Sequence, residues 1–157
     1  MTERMEPSNE APRGDGLRIG LVLTQFNKGH SENMRLACIE RLIALDVDPD
    51  DIETVRVPGA LEAPFALQLM AESGDYDALI CLGTIIRGDT YHFEVVSNES
   101  ARGITDVQIS TGVPIANGIL TCNTDEQVLA RVEVKAADCA DVAIAMARLA
   151  EELNERQ

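Results

Sequence analysis

The chain has no tryptophan, only three phenylalanines and two tyrosines, and just two histidines among its 157 residues. A core without large aromatics must rest on Ile, Leu, Val and Ala, so an aromatic that falls in a loop stands out by its rarity. Basic residues are also few: 13 Lys and Arg face 27 Asp and Glu, a net charge of −14. Such a chain is ill suited to gripping a nucleic-acid backbone or an anionic membrane, and a phosphate site on it needs local cations. The four cysteines, Cys38, Cys81, Cys122 and Cys139, form no C-x-x-C pair and have no histidine at zinc spacing. No metal site is expected; the thiols read as reduced, with Cys81 and Cys139 as small core residues. No apolar run approaches the roughly 20 residues of a membrane span. Residues 1–16 lack the apolar segment of a signal peptide and hold Pro7, Pro12, Gly14 and Gly16 among polar residues. The expectation is a cytoplasmic protein with a disordered tail over residues 1–16 and a single domain over residues 17–157.

What is present is a regular alternation of apolar patterns. Short apolar runs at residues 17–24, 51–57, 77–83 and 114–120 predict four strands. Between and after them, helical spacing predicts helices over residues 31–45, 61–71 and 90–110, the last interrupted by Gly103. Pro64 is tolerable in the first turn of the second of these. Thr124-Asp-Glu-Gln127 fits a capping box, and Cys139, Val142, Met146, Leu149 and Leu153 form the apolar stripe of a final helix that Asp138 is placed to cap. Strands alternating with helices imply a parallel sheet with helices on both faces, whose ligands bind beyond the carboxyl ends of the strands.

That rule directs attention to four strand-end loops. Phe26 and Asn27 follow the first strand; Phe26 either plugs an edge of the core or offers its face to a planar heterocycle. Val57-Pro-Gly-Ala-Leu-Glu62 follows the second, with a tight turn that lets the backbone of Ala60 and Leu61 approach a ligand. Glu62 suits a helix start on dipole grounds alone, or accepts hydrogen bonds from hydroxyls. After the third strand, Gly83-Thr-Ile-Ile-Arg-Gly-Asp-Thr-Tyr-His92 leads into a helix whose free N–H groups suit an anion. It is neither of the common Gly-rich nucleotide loops. Asp89 competes for those donors if it caps the helix. His92 is either structural or a proton carrier at neutral pH; His30 reads as a surface or capping residue. Arg131 and Lys135, one turn apart, supply positive charge or form a solvated patch.

Taken in order, Phe26-Asn27, Val57-Pro-Gly-Ala-Leu-Glu62, Leu82-Gly-Thr-Ile-Ile-Arg-Gly-Asp-Thr-Tyr-His92, Gly118-Ile-Leu-Thr121 and Glu126-Gln127 with Arg131 resemble the 6,7-dimethyl-8-ribityllumazine synthase family over roughly residues 17–153. The resemblance implies a three-layer α/β/α sandwich with a four-stranded parallel sheet in flavodoxin-like order. It implies condensation of 5-amino-6-(D-ribitylamino)uracil with 3,4-dihydroxy-2-butanone 4-phosphate, through imine formation, loss of phosphate and ring closure, with neither metal nor organic cofactor. On this pattern Phe26 stacks on the pyrimidine; Asn27, Ala60, Leu61, Glu62, Ile85 and Ile86 line the site, with Glu62 on the ribityl hydroxyls. Gly88, Asp89 and Thr90 hold phosphate with Arg131 and Lys135, and His92 moves protons. The family's sites lie between subunits of a pentamer, so Arg131 is expected from a neighbour. Asn117 stands where many members carry Phe, which implies an amide contact on that side of the ring. Asp89 stands where a small neutral residue is common. A short stretch over residues 131–138 favours an isolated pentamer over a sixty-subunit shell. A non-catalytic flavin- or lumazine-binding homologue and an assembly scaffold are the alternative functions.

Overall fold

The computed structural model describes residues 12–156. The chain runs β1 (Ile19–Thr24), α1 (Lys28–Ala44), β2 (Ile52–Val57), a 3₁₀ turn (Ala60–Glu62), α2 (Ala63–Ser73), β3 (Ala78–Ile86), α3 (His92–Thr111), β4 (Ile115–Cys122), α4 (Asp125–Leu129) and α5 (Val132–Glu155). All strand pairs are parallel, in the order β2-β1-β3-β4. This is the expected four-stranded, flavodoxin-like sheet between helical layers.

Side-chain alternation builds the two cores. Ile19, Leu21 and Leu23 of β1, with Ala78, Ile80 and Leu82 of β3, pack toward α1 and α5. Val22, Leu79 and Cys81 point the other way, toward Ala63, Leu67 and Met70 of α2 and Ile104 and Val107 of α3. A strand buried on both faces needs apolar residues at every position, and β1 is buried throughout. The small residues Ala136, Ala140, Ala143 and Ala147 bring α5 close to the sheet. Among the described residues no helix is long and apolar enough to cross a membrane.

Several boundaries differ from the sequence expectation, each for a packing reason. β3 does not end at Gly83 but runs to Ile86, paired with β4 from Leu79↔Ile115 to Ile86↔Cys122. Gly83 marks a close approach within the strand: a Cβ there would lie 2.1 Å from Thr24 Oγ1. α3 passes through Gly103 unbroken. The last helix starts at Val132, so Asp138 lies inside it rather than at its cap; Arg131 is its N-cap residue and Lys135 lies in its first turn. Val132 and Ala136 are buried and carry the apolar stripe back past Asp138. Thr124 Oγ1 accepts from Gln127 N at 3.2 Å as a capping box requires, but Gln127 Oε1 accepts from Asn123 N at 2.8 Å, one residue before the cap.

Within the stretch expected as a tail, residues 13–15 are held against the fold. Residues 1–11 lie outside the described residues, but Gly14 N donates to Leu45 O at 2.6 Å. Arg148 donates to Arg13 O at 2.9 Å and to Asp15 O at 2.7 Å, fastening residues 13–15 to α5.

Candidate active site

The chain turns one way from β1 to β2 and the other way from β1 toward β3 and β4, so a crevice opens beyond the ends of β1 and β3. Its depth comes from unequal strand lengths. The β1–β3 register stops at Leu23↔Leu82, whereas β3 continues beside β4 to Ile86. Residues 84–86 therefore run past the last β1–β3 pair and form one wall of the crevice. The crevice forms a cavity of about 340 Å³ lined by Phe26, Asn27, Gly59, Ala60, Leu61, Glu62, Thr84, Ile85, Ile86, His92 and Val96.

Phe26 does not plug the core. Its side chain is 67% exposed and its ring lies over Gly59, where a Cβ would meet ring carbons at 2.9 and 3.0 Å. Pro58-Gly59 thus leaves room for a ring on top of the turn. Two backbone bonds fix the arrangement: Gln25 N to Val57 O at 2.9 Å and Phe26 N to Pro58 O at 3.2 Å. Asn27 adopts the left-handed conformation, φ 58°, and α1 starts one residue later. Glu62 sits at the start of α2 yet makes no capping hydrogen bond with its side chain, and its carboxylate faces the Gly59 turn.

The turn at residues 88–90 is exposed and leads directly into α3. Asp89 does not cap this helix: the N-cap is Tyr91, and the hydroxyl of Thr90 accepts from His92 N at 3.4 Å. The competition between Asp89 and an anion for the α3 N–H groups is therefore absent. Arg87 lies over the Phe93 ring, 4.3 Å from its centroid, and pairs with Glu94, whose carboxyl it holds below the usual carboxylate range.

Arg131 and Lys135 do not reach this cavity within one chain. They line a second concavity of about 670 Å³, with Ile119, Leu120, Thr121, Cys122, Gln127, Ala130, Val134 and Asp138. Arg131 donates to Gln127 O at 2.9 Å. Burial raises the pKa of the Cys122 thiol, with Arg131 opposing the shift. Asn117 is exposed on β4 and lines neither cavity; its Oδ1 accepts from Ile119 N at 3.0 Å. Thr84 and Val96 were missed by the sequence reading. Val96 follows His92 by four residues and shares its helix face. Thr84 lies just beyond the Gly83 expected to end the strand; its buried hydroxyl finds no hydrogen-bond partner among the described residues.

Comparison with known proteins decides the relationship. The profile of 6,7-dimethyl-8-ribityllumazine synthase matches residues 16–151. The chain belongs to the 6,7-dimethyl-8-ribityllumazine synthase family. It is 58% identical over 137 residues to the lumazine synthase of Polynucleobacter necessarius, covering 87% of this chain and 80% of that one. It is likewise 58% identical over 140 residues to that of Methylobacillus flagellatus, covering 89% and 94%. A lumazine synthase of Nitrosospira multiformis is 53% identical over 144 residues, covering 92% of this chain and 90% of that one. The lumazine synthase relationship thus spans every element from β1 into α5, and with it both cavities.

Proposed function

We propose that this protein condenses 5-amino-6-(D-ribitylamino)uracil with 3,4-dihydroxy-2-butanone 4-phosphate to give 6,7-dimethyl-8-ribityllumazine. The observation that carries the reading is the crevice at the β1/β3 switch point, in a member of this family, with a ring face, a carboxylate and a histidine around one cavity. Phe26 offers a flat apolar face to the pyrimidine. Backbone groups at the end of β3 and at the Gly59 turn meet its polar edge, and Glu62 accepts from the ribityl hydroxyls. The N–H groups at residues 88–90 and the Thr90 hydroxyl hold phosphate, with Arg131 and Lys135 as its cations.

The chemistry asks for modest acid–base help. The substrate amine adds to the ketone and loses water to form the imine. Removal of the proton from the adjacent hydroxyl-bearing carbon expels phosphate and leaves an enol, which tautomerises to a new carbonyl. Attack of the ribityl-bearing nitrogen on that carbonyl, with loss of a second water, closes the ring. His92, at the first turn of α3 and on the cavity wall, accepts and returns protons in these steps. Holding two reactants in contact supplies the larger share of the rate. No step needs a metal or organic cofactor.

The site is completed by a neighbouring subunit of a homopentamer, which contributes Arg131, Lys135 and Asn117. Two features of the single chain favour this: Arg131 and Lys135 lie in a different cavity from Phe26, Glu62 and His92, and large apolar side chains stay uncovered. Phe65 is 72% and Ile109 75% exposed, with Leu69, Val134, Met146, Leu149 and Leu153 also open. The short stretch over residues 131–138, helical from Val132, favours an isolated pentamer; the protein is read as cytoplasmic, with residues 17–157 as one domain. Mixing the protein with both substrates and following lumazine fluorescence tests the reaction. Product formation above the spontaneous rate is expected; a rate equal to the spontaneous one refutes it. Molecular mass in solution tests the assembly.

A further inference from the structure

Residues 123–125 form a short corner between β4 and α4, and side chains flanking two different turns, residues 88–90 and Phe26-Asn27, end on it. Arg87, immediately before the turn at residues 88–90, donates from Nε to Asn123 Oδ1 at 2.8 Å, and its own N–H donates to Cys122 O at 2.9 Å. His30, in the first turn of α1, shares a hydrogen bond between Nε2 and Asp125 Oδ1 at 2.6 Å. The corner is locked from within by the Thr124 cap and by Gln127 Oε1 on Asn123 N. Neither Asn123 nor Asp125 lines the substrate cavity.

Both turns tied to this corner need such support. Asn27 holds a left-handed conformation with no side-chain cap, so the Phe26 turn depends on tertiary anchors for its position. Residues 88–90 lie outside helix and strand, and the guanidinium beside them is taken up by Glu94, Asn123 and the Phe93 ring rather than free for an anion. We propose that Asn123 and Asp125 are positioning residues that set the spacing between the two substrate subsites. Asp125 acts through His30 on the pyrimidine turn, and Asn123 acts through Arg87 on the phosphate turn. The proposal rests on the assignment of those turns given above.

Steady-state kinetics with each substrate varied in turn, with inorganic phosphate as a competing anion, test it. Asn123→Ala raises KM for the butanone phosphate and Ki for inorganic phosphate by about three- to tenfold, the range for one lost hydrogen bond, and leaves the pyrimidine KM within about twofold. Asp125→Ala does the reverse. Both keep kcat within about threefold, because the reacting atoms keep their partners. Asp125→Asn, which retains the accepting oxygen, restores the pyrimidine KM. A merely structural role moves both KM values together, and that result, or the absence of either arm of the crossover, overturns the proposal. Phe26→Ala and Thr90→Ala serve as calibration. If they fail to raise the pyrimidine and phosphate KM values respectively, the subsite assignment falls and the proposal with it. If they succeed while the crossover is missing, only the positioning proposal falls.

Discussion

Phe26, Gly59 and Glu62 form one unit although they belong to two loops. The ring lies flat because the turn beneath it has no side chain, so Gly59→Ala must displace it: the new methyl would sit 2.9 Å from a ring carbon. This substitution is expected to raise the pyrimidine KM by about three- to tenfold, much as loss of the ring in Phe26→Ala does, with kcat nearly unchanged. His92→Ala affects kcat instead. The expected loss is at or below about a hundredfold, because positioning of the two substrates survives it. Arg131→Ala is expected to raise KM for the phosphate substrate chiefly; an unchanged value contradicts its role as the phosphate cation. Initial-rate measurements separate the three. At this scale the placing of Phe26, Glu62 and His92 around one cavity was legible because each follows a strand end; their roles came only with the family resemblance, since each residue alone also has a structural reading. Thr84 was not legible, because a glycine before it read as the end of a strand. The roles of Arg87 and His30 were equally hidden: their partners Asn123 and Asp125 lie 36 and 95 residues away.

Among the elements, the alternating patterns located all four strands and the main helices, since burial on both faces of β1 and β3 demands uninterrupted apolar runs. Element ends were less legible, because they are decided by tertiary contacts. β3 continues past Gly83 since Thr24 fills the space a side chain would take. α5 starts at Val132 because Val132 and Ala136 are buried along with the rest of its stripe. Ala137 is therefore a helix-interior residue rather than part of a linker. Ala137→Pro is expected to lower unfolding free energy by about 3 kcal/mol or more, measured by urea denaturation, whereas a linker proline would be nearly neutral. The cysteines offer a second check. Burial raises the pKa of Cys38 and Cys81 above the ordinary thiol value and pushes Cys139 to about 11. With Cys122 also buried and raised, the native protein is expected to react with a disulfide reagent at pH 8 far more slowly than the unfolded chain, which exposes all four thiols.

The whole molecule carries 14 net negative charges, yet the substrate that brings phosphate is an anion. Local cations resolve the conflict only if Arg131 and Lys135 come to the turn at residues 88–90, which a single chain does not arrange. On the proposed reading, each chain carries the ring-stacking and proton-transfer half of one centre and the cationic half of another. The parallel, helix-flanked sheet was legible from the strand–helix alternation; its flavodoxin-like order and the expectation of shared sites came only with the family resemblance, because nothing in one chain's pattern says which cavities face each other. The most direct test mixes two impaired chains, one with Phe26→Ala and His92→Ala, the other with Arg131→Ala, by co-expression at equal levels. Random assembly leaves about a quarter of the centres with both halves intact, so, with butanone phosphate well below the raised KM, lumazine formation is expected to recover to about a quarter of the unaltered rate. Mixed oligomers of normal mass whose rate equals the average of the two impaired parents would contradict the account.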